Sequence, residues 1–261
     1  MTGRPAGPDR RLQAIGLLDL TSLNDTDDAT KIARLCARAS TPRGPVAAVC
    51  VWPRFVAQCR AALGAKVAGD GGIRVAAVAN FPHGSADIAG ALADTRAIVA
   101  AGGDEVDVVF PYNAWLNGER QLGRDLVAAC KAACGTEARL KVIIESGCLR
   151  DSETIAAVSA AAIEAGADFI KTSTGKTSIS ATLEAARTML GVIKAKGATC
   201  GFKAAGGIRD AGTAALYLDL AARILGEAWI SPRHFRFGAS GLLDSLLAEL
   251  GGAARAPGTG Y

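Results

Sequence analysis

Short runs of β-branched and apolar residues recur along the chain about thirty residues apart. Each is followed by a longer, alanine-rich stretch whose apolar positions repeat with helical spacing. The runs are GLLDLTSL near Leu17, AAVCVWP near Val49, RVAAVANFP near Val75, EVDVVFP near Val108, LKVIIESG near Val142, ADFIKTSTG near Phe169, GFKAAGG near Phe202 and HFRFGAS near Phe235. Between them lie stretches such as DIAGALADTRAIVAAGG and LEAARTMLGVIKAKG. Strand–helix alternation predicts a parallel sheet with helices outside it. Continuous apolar runs suit strands covered on both faces. Eight such units in 261 residues predict a single-domain α/β TIM (β/α)8 barrel over residues 11–250. An open doubly wound sheet is the alternative, but it usually carries a glycine fingerprint after its first strand. Here the first run ends Asp19-Leu20-Thr21 with no G-x-G-x-x-G, and no linker-like segment divides the chain. Residues 1–10 and 251–261, rich in Gly, Pro and Ala, are expected to be loose ends.

In a barrel the chemistry sits at the C-terminal strand ends. The polar residues that interrupt or close the runs include Asp19, Thr21, Cys50, Asn80, Asp107, Glu145, Ser146, Lys171, Thr172, Ser173, Lys203 and Ser240. A lysine inside a parallel strand is unusual, because the barrel interior is a poor place for an unpaired charge. Lys171 and Lys203 fall on the sixth and seventh strands, which would be neighbours about 4.8 Å apart. Two cations in one apolar pocket repel, and one is pushed towards the neutral amine. A neutral amine attacks carbonyls and forms a Schiff base. Asp107 could exchange protons during that reaction. Thr21, Cys50 and Thr172 read as pocket lining.

Glycines after the last three strands point to anion binding. Gly175-Lys176 follows the sixth, Gly206-Gly207-Ile208-Arg209 the seventh and Gly238-Ala239-Ser240 the eighth. The loops after strands seven and eight commonly seat phosphate through backbone N–H groups. These residues leave several readings open. They are a Schiff-base aldolase for a short donor, one for a hexose bisphosphate or keto-acid sugar, a lysine-bound pyridoxal phosphate enzyme, and a non-catalytic phosphate-binding barrel. Trp52, Phe81 and Phe110, placed near strand ends, favour a small pocket.

Charge and composition narrow the field. The net charge is +4 with no long block of Lys and Arg, which argues against nucleic acid and for a small anionic ligand. No apolar run is long enough for a membrane span, and the N-terminus lacks the apolar core of a signal peptide. There are seven cysteines and no Cys-x-x-Cys pair, so free thiols in a reducing cytoplasm are expected. Cys130 and Cys134 would share one helix face. Two distant histidines, His83 and His234, offer no metal-ligand cluster.

The strings DEVDVVFPY, ADFIKTSTGK, GFKAAGGIR and HFRFGAS, supported by LLDLTSLND, VCVWPRF, VANFPHG and LKVIIESG, closely resemble the deoxyribose-phosphate aldolase family from about Leu17 to about Leu250. The resemblance implies a TIM barrel and reversible cleavage of 2-deoxy-D-ribose 5-phosphate to D-glyceraldehyde 3-phosphate and acetaldehyde, with no metal or other cofactor. It implies that Lys171 forms the Schiff base, Lys203 depresses its pKa, Asp107 donates and accepts protons, and Asp19 orients the lysines and the substrate hydroxyls. The phosphate contacts it implies are Gly175, Lys176, Gly206, Gly207, Ile208, Arg209, Gly238 and Ser240. Gly241 stands where a second serine is common, and Ala204 where proline is common. Some family members end in tyrosine on a flexible tail, which makes Tyr261 a candidate proton relay over the barrel mouth. A homodimer is also implied.

Overall fold

The computed structural model describes residues 8–66, 72–149 and 151–251. Eight parallel strands close into a barrel: β1 (Leu18–Thr21), β2 (Ala48–Val51), β3 (Arg74–Ala79), β4 (Glu105–Val109), β5 (Arg139–Ile143), β6 (Phe169–Lys171), β7 (Gly201–Ala205) and β8 (Phe235–Ala239). Each pairs with its sequence neighbour, and β8 returns to β1 with Leu18 opposite Phe237. All eight runs marked in the sequence are barrel strands.

Helices cover the outside. Those that follow strands include α2 (Ala29–Arg38), α3 (Val56–Leu63), α4 (Ile88–Ala100), α6 (Arg120–Cys134), α7 (Ser152–Glu164), α8 (Leu183–Ala195), α9 (Ala211–Leu225) and α10 (Leu242–Glu249), with the short α5 (Tyr112–Leu116) ahead of α6. Local chemistry starts them. The side chains of Asp28, Asp87, Asp151, Thr182 and Asp210 each accept a bond from a backbone N–H three residues on. That satisfies an otherwise orphaned helical donor. Cys130 and Cys134 lie together on the buried face of α6, and all seven cysteines are free.

Two elements were not expected. A short antiparallel hairpin pairs Ser40–Thr41 with Gly44–Pro45 ahead of β2. Helix α1 (Arg10–Gly16) precedes the barrel and packs on α9 and α10. Residues 9 and 10, expected within a loose N-terminal segment, are instead the cap and first residue of this helix. Asp9 caps α1, and Arg10 pairs with Asp219 at 2.9 Å and Glu227 at 2.6 Å. Residues 1–7 and 252–261, Tyr261 among them, lie outside the described residues.

The interior of this barrel is not the usual stack of aliphatic layers. Toward its open end Leu23, Cys50, Ala76 and Val78 cluster with Trp52 and Phe81. The two aromatic rings meet edge to face at 5.5 Å. Phe110 does not join them. It is buried on the helix side of β4 against Trp115, where a Cβ at Gly123 would strike its ring. It therefore does not narrow the pocket, contrary to the sequence expectation. Below them the interior holds a buried cluster of charged side chains, with the Phe169 ring beside it.

Candidate active site

Alternate residues of a strand share one face. This places Glu105 and Asp107 of β4 together inside the barrel, with Lys141 of β5 opposite Asp107 in register. Lys171 and Lys203 are likewise register partners on β6 and β7, and Arg236 of β8 is opposite Lys203. Asp19 enters from β1. All seven side chains are buried.

The distances tie them into one network. Asp107 Oδ2 accepts from Lys171 Nζ at 2.9 Å and Lys203 Nζ at 2.8 Å, while its Oδ1 accepts from Lys141 Nζ at 2.7 Å. Asp19 Oδ2 accepts from Lys203 at 2.5 Å, and its Oδ1 accepts from Arg236 Nη1 at 2.6 Å. Glu105 pairs with Arg236 at 2.8 Å and with Lys141 at 2.6 Å. Buried charges persist only when paired this fully.

The members divide by their titration. For Asp107, burial works against ionisation, but Lys141, Lys171 and Lys203 together hold the carboxyl well below the usual range. Asp19 is lowered against the same burial by Lys141, Lys203 and Arg236, and Glu105 by Arg236 and Lys141. Lys141, Lys203 and Arg236 are raised, because their carboxylates outweigh burial. Lys171 alone among the cations is lowered. Burial is the main cause, Asp107 opposes it, and repulsion from Lys203 adds to the fall. From sequence, that repulsion was expected to lead; in the folded protein it is the smaller of the two effects that lower this amine.

A cleft of about 240 Å³ opens above the network at the C-terminal strand ends. Of the seven charged residues, only Lys171 lines it. Its walls include every residue proposed from sequence for phosphate: Gly175, Lys176, Gly206, Gly207, Ile208, Arg209, Gly238 and Ser240, with Thr21 and Gly241. Gly206 and Gly207 have φ of +85° and +84°, a region that L side chains rarely adopt. A Cβ at Gly206 would also press on Ser180 at 2.6 Å. Lys176 Nζ donates to the Leu23 carbonyl at 2.8 Å, tying the loop after β6 to the loop after β1.

Two pocket expectations are corrected. Thr172 is buried, and its hydroxyl is spent bridging β6 to β7, donating to Ala205 O at 3.1 Å and accepting from Ala205 N at 3.0 Å. Cys50 is fully buried with its Sγ 4.0 Å from Asp107 Oδ2, behind the cleft wall rather than on it. Sequence reasoning missed Glu105, Lys141 and Arg236. A signal existed for Glu105, which stands two residues before Asp107 and so shares its face. Lys141 and Arg236 each sit inside an apolar run, as Lys171 and Lys203 do. Ser22, Leu23 and Asn24 also line the cleft without having been singled out.

A closed (β/α)8 barrel with a glycine-lined cleft and a buried lysine at the C-terminal strand ends is the layout of a barrel enzyme. The sequence model of the DeoC/LacD family of aldolases matches residues 13–246, and the chain belongs to that family. Solved structures with the same fold include a provisionally assigned deoxyribose-phosphate aldolase from Toxoplasma gondii ME49. It is 23% identical with a TM-score of 0.80, over 92% of this chain and 93% of that one. A provisionally assigned counterpart from Coccidioides immitis is 24% identical with a TM-score of 0.75, over 92% and 86%. A tetrameric deoxyribose phosphate aldolase from Aeropyrum pernix is 23% identical with a TM-score of 0.70, over 94% and 99%. At these identities the likeness bears on the fold. Among the described residues no helix is long and apolar enough to cross a membrane.

Proposed function

We propose that this aldolase reversibly cleaves 2-deoxy-D-ribose 5-phosphate to D-glyceraldehyde 3-phosphate and acetaldehyde, in the breakdown of deoxyribose phosphate. One observation carries the reading. Lys171 is the amine whose proton is least firmly held, and it is the member of the charged network that reaches the cleft.

In the forward reaction the neutral Lys171 amine adds to the C1 aldehyde, and the carbinolamine loses water to give an iminium. The iminium withdraws electrons as the C2–C3 bond breaks and the 3-hydroxyl gives up its proton. Glyceraldehyde 3-phosphate leaves, the enamine is protonated at C2, and hydrolysis frees acetaldehyde and Lys171. Asp107, a carboxylate at rest, takes the proton from the reacting centre and returns it in a later step, and the Lys203 ammonium at 2.8 Å stabilises the carboxylate between transfers. Asp19 keeps Lys203 in place at 2.5 Å. The phosphate sits against the backbone N–H groups of the Gly206-Gly207 and Gly238–Ser240 loops, at the N-terminus of α10, with Arg209 and Lys176 nearby.

The reading uses no metal and no other cofactor, since the protonated imine is itself the electron sink. Tyr261 is proposed to fold over the mouth and relay a proton to the enamine carbon; its deletion should then lower kcat and slow exchange of acetaldehyde methyl protons with solvent. A cytoplasmic homodimer is part of the same proposal. The deciding experiment is a coupled assay of glyceraldehyde 3-phosphate release from deoxyribose 5-phosphate, with and without chelator. Release that survives the chelator, with borohydride trapping of acetaldehyde on the Lys171 peptide, supports the reading. Label on Lys203 or Lys176, or full activity in Lys171→Arg, overturns it.

A further inference from the structure

The Schiff-base reading gives work to Lys171, Asp107, Lys203 and Asp19 and leaves Glu105, Lys141 and Arg236 without a task. Each of the three nonetheless makes at least two charged contacts inside the barrel. Arg236 clasps Glu105 with Nη1 at 3.1 Å and Nη2 at 2.8 Å, and the same Nη1 reaches Asp19 at 2.6 Å. Its Nε donates to the Pro232 carbonyl at 2.6 Å, and its guanidinium lies 5.7 Å from the Phe169 ring centre. Lys141 completes the ring, touching Glu105 at 2.6 Å, Asp107 at 2.7 Å and Asp19 at 3.3 Å.

The charges in this cluster do not cancel. With every group ionised, four cations (Lys141, Lys171, Lys203, Arg236) face three carboxylates (Asp19, Glu105, Asp107). Every member is buried, at most 3% exposed, with Lys171 at the cleft and Arg236 beside a second cavity, so an unbalanced charge is costly and is relieved by shedding a proton. Lys141, Lys203 and Arg236 are each held by at least two carboxylates, whereas Lys171 touches only Asp107. A guanidinium does not release its proton in proteins.

We propose that Arg236 is a positioning residue acting through this balance of charge: its permanent charge at the base of the barrel makes the buried cluster neutral only when Lys171 is a free amine. The inference rests on Lys171 being the reacting amine. Lys171 faces Asp107 from β4, Lys203 from β7 and the Cys50 thiol from β2. Arg236 faces Asp19 from β1 and Glu105 from β4, with Lys141 from β5 bound to the same two carboxylates. On its outer side it shares a cavity of about 300 Å³ with Arg43, Arg74 and Arg139.

The test reads the Lys171 amine directly. Competitive acetylation by acetic anhydride from neutral to alkaline pH, followed peptide by peptide by mass spectrometry, gives its midpoint without any sugar substrate. Arg236→Met removes a cation that reaches Lys171 through Asp19, Lys203 and Asp107, and should raise the midpoint by roughly half to one pH unit, as a charge about 10 Å or more away does at an effective dielectric constant of about 20. Glu105→Gln removes an anion and should lower it by a similar amount. The double variant restores the balance and should return near the wild-type value, and Arg236→Lys should stay there. A merely structural role would not give shifts of opposite sign. Both single variants moving the same way, or a double variant no closer to wild type than either, overturns the proposal. If Arg236→Met does not fold, Glu105→Gln and Arg236→Lys still decide: an unmoved midpoint in the first or a large rise in the second refutes it. Failure of the substrate assignment would look different, with the midpoints moving as stated in a protein that does not cleave the sugar phosphate.

Discussion

Replacing Lys203 by Met tests the electrostatics of the reacting amine at its most direct point. Lys171 and Lys203 donate to the same oxygen of Asp107, at 2.9 and 2.8 Å, so the two nitrogens are at most about 5.7 Å apart. At an effective dielectric constant of about 20, two unit charges at that separation repel by about 3 kcal/mol, which corresponds to about two pKa units. Burial of Lys171 is the larger cause of its lowered pKa and stays in the variant. Asp107, with one ammonium fewer, would hold the Lys171 proton more tightly, so the second-order effect has the same sign. Because the neutral amine reacts, the acid limb of kcat/KM should move up by about two pH units. At a pH on the acid limb, activity should fall about a hundredfold and recover on the alkaline side. Loss of a proton relay through Lys203 would instead lower the plateau without moving the limb, so a full pH profile separates the two roles. Thermal unfolding of the variant is measured in parallel, since Asp19 and Asp107 each lose a partner. A limb that stays at its wild-type position refutes the repulsion argument, whatever happens to the plateau.

Three further outcomes are expected. Asp107→Asn removes the anion that raises Lys171, so borohydride trapping of acetaldehyde should persist to lower pH, while turnover falls by about 10²–10⁴ if the carboxylate moves protons; near-normal turnover would make it structural. Gly241 lines the cleft at φ −99°, and a Cβ placed there would meet nothing within 4 Å, so Gly241→Ser fits without strain. Its hydroxyl should lower KM for deoxyribose 5-phosphate by about tenfold or more, a hydrogen bond to a charged group being worth about 1.5–3 kcal/mol, and leave unphosphorylated deoxyribose unaffected; an equal effect on both substrates would point to the backbone. Asp19, Glu105 and Asp107 are all lowered in the folded protein, so their contribution to stability is complete above about pH 4 and is lost as pH falls through the folded-state values. Urea midpoints that do not fall between neutral pH and about pH 3 would contradict that sign.

Much of this protein can be read from its sequence because strand and helix formation are local. Eight apolar runs, each followed by an amphipathic stretch, are enough to count the barrel strands, and the capping aspartates that start several helices are sequence signals. The pair Lys171 and Lys203 was legible because consecutive strands of a barrel are neighbours, and the glycines after β6, β7 and β8 had to meet at one end of it. Helix α1 and the hairpin at Ser40–Pro45 were not legible, being too short for any period to show. The joining of Asp19 and Arg236 to Glu105 and Lys141 was hidden for a different reason. Asp19 and Arg236 come from the paired strands β1 and β8, Glu105 and Lys141 from the paired strands β4 and β5, and the two pairs meet across the barrel axis. Only closure of the sheet, with its particular stagger, decides which inward side chains share a level. The same closure buries Thr172 and Cys50 away from the cleft and leaves one lysine at its floor. The sequence determined which charges the barrel contains; the tertiary structure decided which of them are paired twice and which one is left facing the cleft, because pairing depends on distances across a cylinder that no single segment spans.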